Sequence, residues 1–507
     1  MPRPTPIMKK VLILLLFLIN ALLLPAQDQN ETIQLIPEAK SFVTKHEIIN
    51  GGKSIKYKAV ASETYLKNEA GEEVAALWSV AYVQEGITDQ TKRPVTFVFN
   101  GGPGSSSVWL HMGMFGPQLV KLDSDAKVDD GAAPYKMVTN TKGLFDLTDF
   151  VFVDPVGTGY SRVVGKGKTE DFWGLYEDAE SIANFMRQWI TDNNRWFSPK
   201  YIAGESYGTP RAVAVTEALE GGGQNMALNG LILISQCLDY AGSTSLPDNI
   251  TSYLTYLPSM AATSWYHKKA GQGQTLEAFV EECRNYTYDK YAPALYRGSY
   301  LSDAEKDKVA DKLSYFTGLK KEYILKSNLR IMMLRYQKEL LADQGLAIGR
   351  NDGRFMGSEI DQLSDGPHLG DASNYQTSSA YTAAMNYYNA TVLQVKMDRP
   401  YITSNGSINS NWNWRPVPLG QDWEPSFMNV ARTLGETMRR NTAMKVLVTA
   451  GYYDLICPFF DAEYTFSRNG IEKEKVKITY YEAGHMMYLH EPDYLKMSED
   501  LRLFFSE

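Results

Sequence analysis

The chain has 507 residues, 44% of them hydrophobic and 22% charged, a globular composition that excludes a disordered chain. Acidic residues outnumber basic ones by 59 to 51, for a formal net charge of -8. A nucleic-acid binder carries the opposite excess, so no nucleic-acid partner is expected. The length holds one large domain with an insertion, or two or three ordinary domains.

The first segment reads as a leader. Lys9 and Lys10 precede an apolar run from Val11 to Leu24, interrupted by Asn20, and Ala26 follows before Gln27-Asp28-Gln29. A basic stretch, an apolar stretch and a small residue make a signal peptide over 1–26. The run is short for a membrane span. An exported protein, periplasmic or extracellular, is therefore expected, without stable membrane insertion once the leader is cut. An uncleaved anchor is the alternative.

Next, 40–100 reads as a β meander. Ser54 to Tyr65 and Val74 to Gln84 are rich in β-branched and aromatic residues, with turns at Gly51-Gly52 and 68–71. The apolar run 94–99 is a buried strand that ends in Asn100-Gly101-Gly102-Pro103-Gly104, and 150–153 is a second. Helical spacing runs from Gly174 to Trp189. A strand at 200–203, a helix from Arg211 to Leu219 and a strand at 231–234 follow. From 240 to 425 the alternation stops and helical patches appear, such as Asp311 to Leu340. Strands return at 445–449 and 475–481. The pattern predicts an α/β fold: a mixed central sheet flanked by helices, an N-terminal meander and an inserted, mainly helical cap. The expected parts are core 27–239, cap 240–425 and core 426–507.

Gly204-Glu205-Ser206-Tyr207-Gly208 fits the Gly-x-Ser-x-Gly elbow, in which a strand turns into a helix within a few residues and flanking side chains would collide. An ordinary strand–helix turn is the competing reading of such a pattern. Here the motif follows a strand and precedes a helix, so Ser206 is the expected nucleophile of an α/β-hydrolase. A serine hydroxyl needs a base. Of the six histidines, His485 in Gly484-His485-Met486 lies just past the last strand, whereas His490 lies further on and reads as structural. Asp454 follows the preceding strand and would hold the imidazole; Asp461, beyond Pro458, is the runner-up. Gly102 in the Asn-Gly-Gly loop and Tyr207 after the serine are the expected oxyanion donors. His485 and His490 have no further ligand cluster, so neither a metal nor a cofactor is expected. The chain has three cysteines, Cys237, Cys283 and Cys457, so one disulfide at most can form, with Cys237–Cys283 as one option. Five Asn-x-Ser/Thr sequons matter only in a glycosylating host.

Four segments together resemble the serine carboxypeptidase family: 99–106, Gly204-Glu205-Ser206-Tyr207-Gly208, Asp454-Leu455-Ile456-Cys457 and Gly484-His485-Met486. The stretch Pro155-Val156-Gly157-Thr158-Gly159-Tyr160-Ser161 also fits. The resemblance implies release of the last residue of a peptide through a Ser206-His485-Asp454 triad and an acyl-enzyme. It implies that Asn100 and Glu205 bind the substrate's terminal carboxylate with the Gly101 N–H as helper. Tyr207 and Met486 would line side-chain pockets, and Cys457 would be a thiol near the site. Two departures are visible. Where many relatives carry a second Glu, an ungapped count gives Met114, and a common Cys is replaced by Ser105. A carboxypeptidase-like acyltransferase or an esterase is the alternative activity, and a hydrolase fold without catalysis is a third.

Overall fold

The computed structural model describes residues 36–122, 126, 131–221, 223–414 and 427–506, so the leader read at 1–26 lies outside them. Apolar sequence and pleat explain the sheet. In β4 (Val95–Phe99), Val95, Phe97 and Phe99 point into one apolar cluster and Val98 into another. In β5 (Asp149–Asp154), Val151 and Val153 face the first cluster, and Phe150 and Phe152 the second. A strand apolar on both faces must be covered on both, as the unbroken runs predict.

The meander forms β1 (Ser41–Asn50), β2 (Lys53–Lys67) and β3 (Glu73–Gln84), all antiparallel. With β6 (Lys200–Glu205), β7 (Gly230–Ile234), β8 (Lys445–Gly451) and β9 (Val476–Tyr481), the sheet order is β1-β2-β3-β5-β4-β6-β7-β8-β9. The two-residue strand Arg162–Val163 pairs with β3 as a tenth member. From β5 to β9 every pairing is parallel.

Helix α1 (Leu175–Asp192) buries Leu175, Ala179, Ile182, Ala183, Met186 and Ile190, one stripe at helical spacing, in the first cluster. Helix α2 (Gly208–Gly221) covers the same face. Between β7 and β8 the chain is mostly helical. Helix α3 (Ile250–Tyr266) anchors a separate apolar cluster, and α4 (Ala372–Thr391) packs Tyr381, Ala384 and Tyr388 into the second sheet cluster. The helical patch expected over Asp311–Leu340 is three helices, Asp303–Thr317, Lys321–Lys326 and Met333–Glu339. The first stops at Gly318, whose φ of +69° closes the turn with its N–H on Ser314 O. The C-terminal α5 (Glu491–Ser506) returns to the second sheet cluster. Among the described residues no helix is long and apolar enough to cross a membrane.

Register positions the site. Phe99 pairs with Gly204, Ile234 with Glu205 and with Thr449, and Gly451 with Tyr481. The carboxyl ends of β4, β6, β7, β8 and β9 therefore lie at one level, and the loops that leave them converge there.

Candidate active site

Ser206 follows β6 directly and has φ +59°, a left-handed conformation that costs a non-glycine residue about 1–3 kcal/mol. Its backbone is held from both sides. Its N–H donates to Ile234 O at 2.9 Å, and its carbonyl accepts from Thr209 N and Thr209 Oγ1, each at 2.8 Å. The motif's spacing is steric: a Cβ at Gly204 would lie 2.1 Å from Gly208 O. The strand-to-helix turn thus closes only without a side chain there.

The loop after β4 packs on this elbow. A Cβ on Gly101 would lie 2.4 Å from Tyr207 N, so the loop backbone reaches the elbow only because position 101 is bare. Among the described residues, neither the Gly102 N–H nor the Tyr207 N–H donates to an internal acceptor. Gly102 faces the cavity that also holds Ser206. Behind the loop, the fully buried Arg211 of α2 donates from Nε to Asp178 Oδ2 at 2.6 Å and from Nη1 to Asn100 O. Its charge is matched by Asp178 on α1, and the loop is tied to two helices at once.

His485 and Asp454 come from the loops after β9 and β8. His485 Nδ1 bonds Asp454 Oδ2 at 2.8 Å, and Asp454 Oδ1 accepts from Ile456 N at 2.7 Å and Cys457 N at 2.9 Å. Asp454 is fully buried, so its remaining capacity is directed at the imidazole. Burial alone would lower the His485 pKa; the Asp454 carboxylate outweighs it and holds the imidazole above its ordinary value. The histidine backbone is pinned as well. Its N–H donates to Asn351 O at 2.5 Å and its carbonyl accepts from Ser235 Oγ at 2.7 Å. Ser206 and His485 line the same cavity, and no direct hydrogen bond joins them. Such bonds commonly tighten only when substrate is bound.

The other histidine and acid considered in the sequence sit elsewhere. His490 Nδ1 bonds Asp493 Oδ2 at 2.7 Å, and Asp461 accepts from Gln236 and Thr465. Both are structural contacts. Atoms of Asp454, Cys457 and His485 lie within 4.8 Å of one another. Both Asp454 oxygens are already occupied, which suits a proton relay better than an ion cage. All three cysteines are free, and the Cys237–Cys283 option is not realised. Cys237 instead lies close to Cys457, while Cys283 is buried in the apolar cluster of the inserted helices.

Beside Ser206, Glu205 is almost wholly buried and is cradled by two donors. Asn100 Nδ2 donates to its Oε2, and Tyr488 OH reaches both carboxylate oxygens at 3.1 Å. Asn100 Oδ1 in turn accepts from Leu110 N at 3.1 Å, which fixes the amide's orientation. Burial pushes the Glu205 pKa up to about 7, against the lowering pull of the His485 charge and the Tyr488 hydroxyl. Tyr488 was not anticipated from the sequence. The only signal was its place two residues after Met486, at the start of a turn. Met114, noted as the missing second acid, is buried in the same apolar cluster as Tyr381 and Tyr488. Ser105 Oγ accepts from Trp109 Nε1 at 2.9 Å.

These groups share one cavity of about 280 Å³, bounded by Asn100, Gly101, Gly102, Glu205, Ser206 and His485. Met486 lines it too. Tyr207 does not; its ring is buried against Trp412 and Trp414, at centroid distances of 5.2 and 5.8 Å. The inserted region adds Arg350, Asn351 and Asp352, which the sequence analysis did not single out.

Comparison with known proteins gives the family and the fold. A family model for serine carboxypeptidases matches residues 62–488. Serine carboxypeptidase-like 16 of Arabidopsis thaliana is 27% identical over 154 residues, 29% of this chain and 34% of that protein. The pheromone-processing carboxypeptidase KEX1 of Uncinocarpus reesii is 26% identical over 193 residues, 36% of this chain and 27% of that protein. The aligned segments thus span 34% and 27% of the length of these curated relatives. In fold, the chain is similar to the prohormone-processing carboxypeptidase Kex1 of Saccharomyces cerevisiae. The TM-score is 0.57 at 15% identity, covering 88% of this chain and 91% of that one. With the family's match running through the Asn-Gly-Gly loop, the serine elbow and both partner loops, the chain belongs to the serine carboxypeptidase family.

Proposed function

We propose that the protein is an exported serine carboxypeptidase that releases the C-terminal amino acid from peptides. The observation that carries the reading is the pairing of two units in one cavity: Ser206 with His485–Asp454, and Glu205 held by Asn100 and Tyr488. The first unit is suited to acyl transfer. The second is a buried acid able to meet a terminal carboxylate.

In the reaction, His485 Nε2 takes the Ser206 proton as Oγ attacks the last peptide carbonyl, and Asp454 stabilises the imidazolium. The N–H groups of Gly102 and Tyr207 hold the oxyanion. The imidazolium then protonates the leaving amine, the amino acid departs, and water, deprotonated by His485, hydrolyses the acyl-enzyme. Glu205, carrying its proton, donates to the substrate carboxylate with help from Asn100 and the Gly101 N–H. Two facing anions would repel, so binding requires the protonated acid. Met486 borders the released residue. In domain terms, 240–425 acts as the cap that supplies the far wall of the cavity, between core parts 27–239 and 426–507. Export rests on the leader at 1–26.

The test is incubation with blocked dipeptides. Release of the terminal amino acid, together with fluorophosphonate labelling that disappears in Ser206→Ala, is expected. No release, with ester formation from an added alcohol, would replace this reading with the acyltransferase one.

A further inference from the structure

The cavity's outer wall holds a charge that the chemistry above does not use. Arg350 lies between the inserted helices and the catalytic loops: its carbonyl accepts from Leu455 N at 3.1 Å, and the next residue's carbonyl holds the His485 N–H. Arg350 lines the cavity and is exposed to solvent. Among the described residues its guanidinium has no acidic partner.

The acids around it are all engaged. Asp352 binds Arg354 at 2.6 Å and accepts from Gly484 N at 3.1 Å. Asp371 accepts from the backbone N–H groups of Arg350 and Asn351, and from Ser373 Oγ. Glu205 sits at the opposite end with Asn100 and Tyr488. His485 is paired with Asp454, so among the described residues Arg350 is the uncompensated cation of the wall. Neutral polar side chains, Asn351, Ser373, Asn374 and Thr377, line the same space, together with Ile456, Met486 and Leu489.

The wall belongs to the leaving-group side. On α4, Tyr381, Thr377 and Ser373 follow one another at four-residue steps and so share a face. Tyr381 packs tilted against Trp109, ring centroids 4.9 Å apart, and feels the Glu205 charge, which places that end of the helix beside the carboxylate cradle. The other end meets Arg350 through Asp371. Eight residues of helix span roughly 12 Å, which the long arginine side chain shortens to the reach of one amino-acid side chain. Tyr207 and Trp412, on the other flank of the nucleophile, do not line this space.

We propose that Arg350 makes the cavity selective for peptides whose released C-terminal residue is acidic, glutamate above all. This rests on the carboxypeptidase reading. The terminal α-carboxylate meets Glu205 and Asn100, and the side-chain carboxylate reaches the guanidinium, with Asn351 and Asn374 as neutral donors.

The experiment measures kcat/KM on blocked dipeptides ending in Glu, Gln, Leu or Lys. It is run at about pH 5.5, where a peptide glutamate side chain is ionised. Wild type is expected to favour terminal Glu over Gln about three- to fivefold, the size of a partly solvated ion pair, and less so at high salt. In Arg350→Gln the Glu/Gln ratio falls to about 1, and in Arg350→Glu terminal Lys overtakes Gln. These are ratios within one enzyme, so partial misfolding does not mimic them. Equal release of Glu and Gln by wild type, or a ratio unchanged in Arg350→Gln, overturns the proposal. So does an Arg350-dependent preference for Glu at the penultimate position. No release from any dipeptide instead defeats the carboxypeptidase reading itself.

Discussion

Replacing Tyr488 by phenylalanine isolates one hydroxyl in the carboxylate cradle. Tyr488 OH is 3.1 Å from each Glu205 oxygen, and its donation favours the ionised acid. Hydrogen bonds to charged groups contribute about 1.5–3 kcal/mol. One proton shared between two long contacts falls below that range, and the neutral acid keeps part of it. About 1 kcal/mol of selective support for the anion remains, and at 1.36 kcal/mol per pKa unit its loss raises the Glu205 pKa by about 0.7 unit. The sign follows directly. In the proposed reading substrate binding needs protonated Glu205, so kcat/KM falls as pH rises through its pKa of about 7. In Tyr488→Phe this alkaline limb moves to higher pH, and the enzyme holds activity further into the alkaline range. Phenylalanine fills the same space, so packing is kept. The assay is the pH profile of kcat/KM on one blocked dipeptide, with Glu205→Gln as the control that lacks the limb. A limb that stays in place or moves to lower pH refutes the assignment of Tyr488 as the donor that supports the Glu205 anion. A limb that persists in Glu205→Gln refutes Glu205 as the titrating group.

The other expectations concern the frame and the nucleophile. Ser206→Ala should lose about 10⁴- to 10⁶-fold in kcat with little change in fold, read by single-substrate kinetics and circular dichroism. Gly101→Ala inserts a Cβ 2.4 Å from Tyr207 N and must shift the loop from the elbow. A fall of about 10²-fold in kcat, larger than any rise in KM, is expected from a displaced oxyanion donor; an unchanged kcat would remove that loop from the oxyanion site. Arg211→Ala leaves Asp178 buried and unpaired, at a cost of about 3–5 kcal/mol. The denaturant midpoint should drop accordingly, and a variant as stable as wild type would show that the pair contributes nothing net.

Ser206, His485 and Asp454, the proposed nucleophile, base and acid, stand out in the sequence because their constraints are local. A serine at φ +59° between a strand and a helix demands small neighbours, and Gly204 and Gly208 record that demand in the sequence. Runs such as 94–99 and 150–153 announce buried strands because both faces of a central parallel strand are covered. Strand order then brings the loops with Asn100, Asp454 and His485 to one edge, as the family resemblance implied. Contacts between distant segments left no such trace. Tyr488 and Glu205 are separated by 283 positions, and nothing in the spacing indicates that the hydroxyl would reach the carboxylate. The same holds for the Cys237–Cys457 contact, which the count of three thiols left open. The inserted region was read as helical, but its break at Gly318 depends on a left-handed cap that helical periodicity does not register. Its part in bracing His485 through Asn351, and in presenting Arg350 to the cavity, exists only once 350–353 is laid between the loops after β8 and β9. Local sterics therefore mark the serine elbow in the sequence, and the family resemblance supplies the reaction class. The surroundings that set the Glu205 pKa, and that place Arg350 at the cavity, were decided by tertiary packing, since electrostatic environment depends on distance in space rather than along the chain.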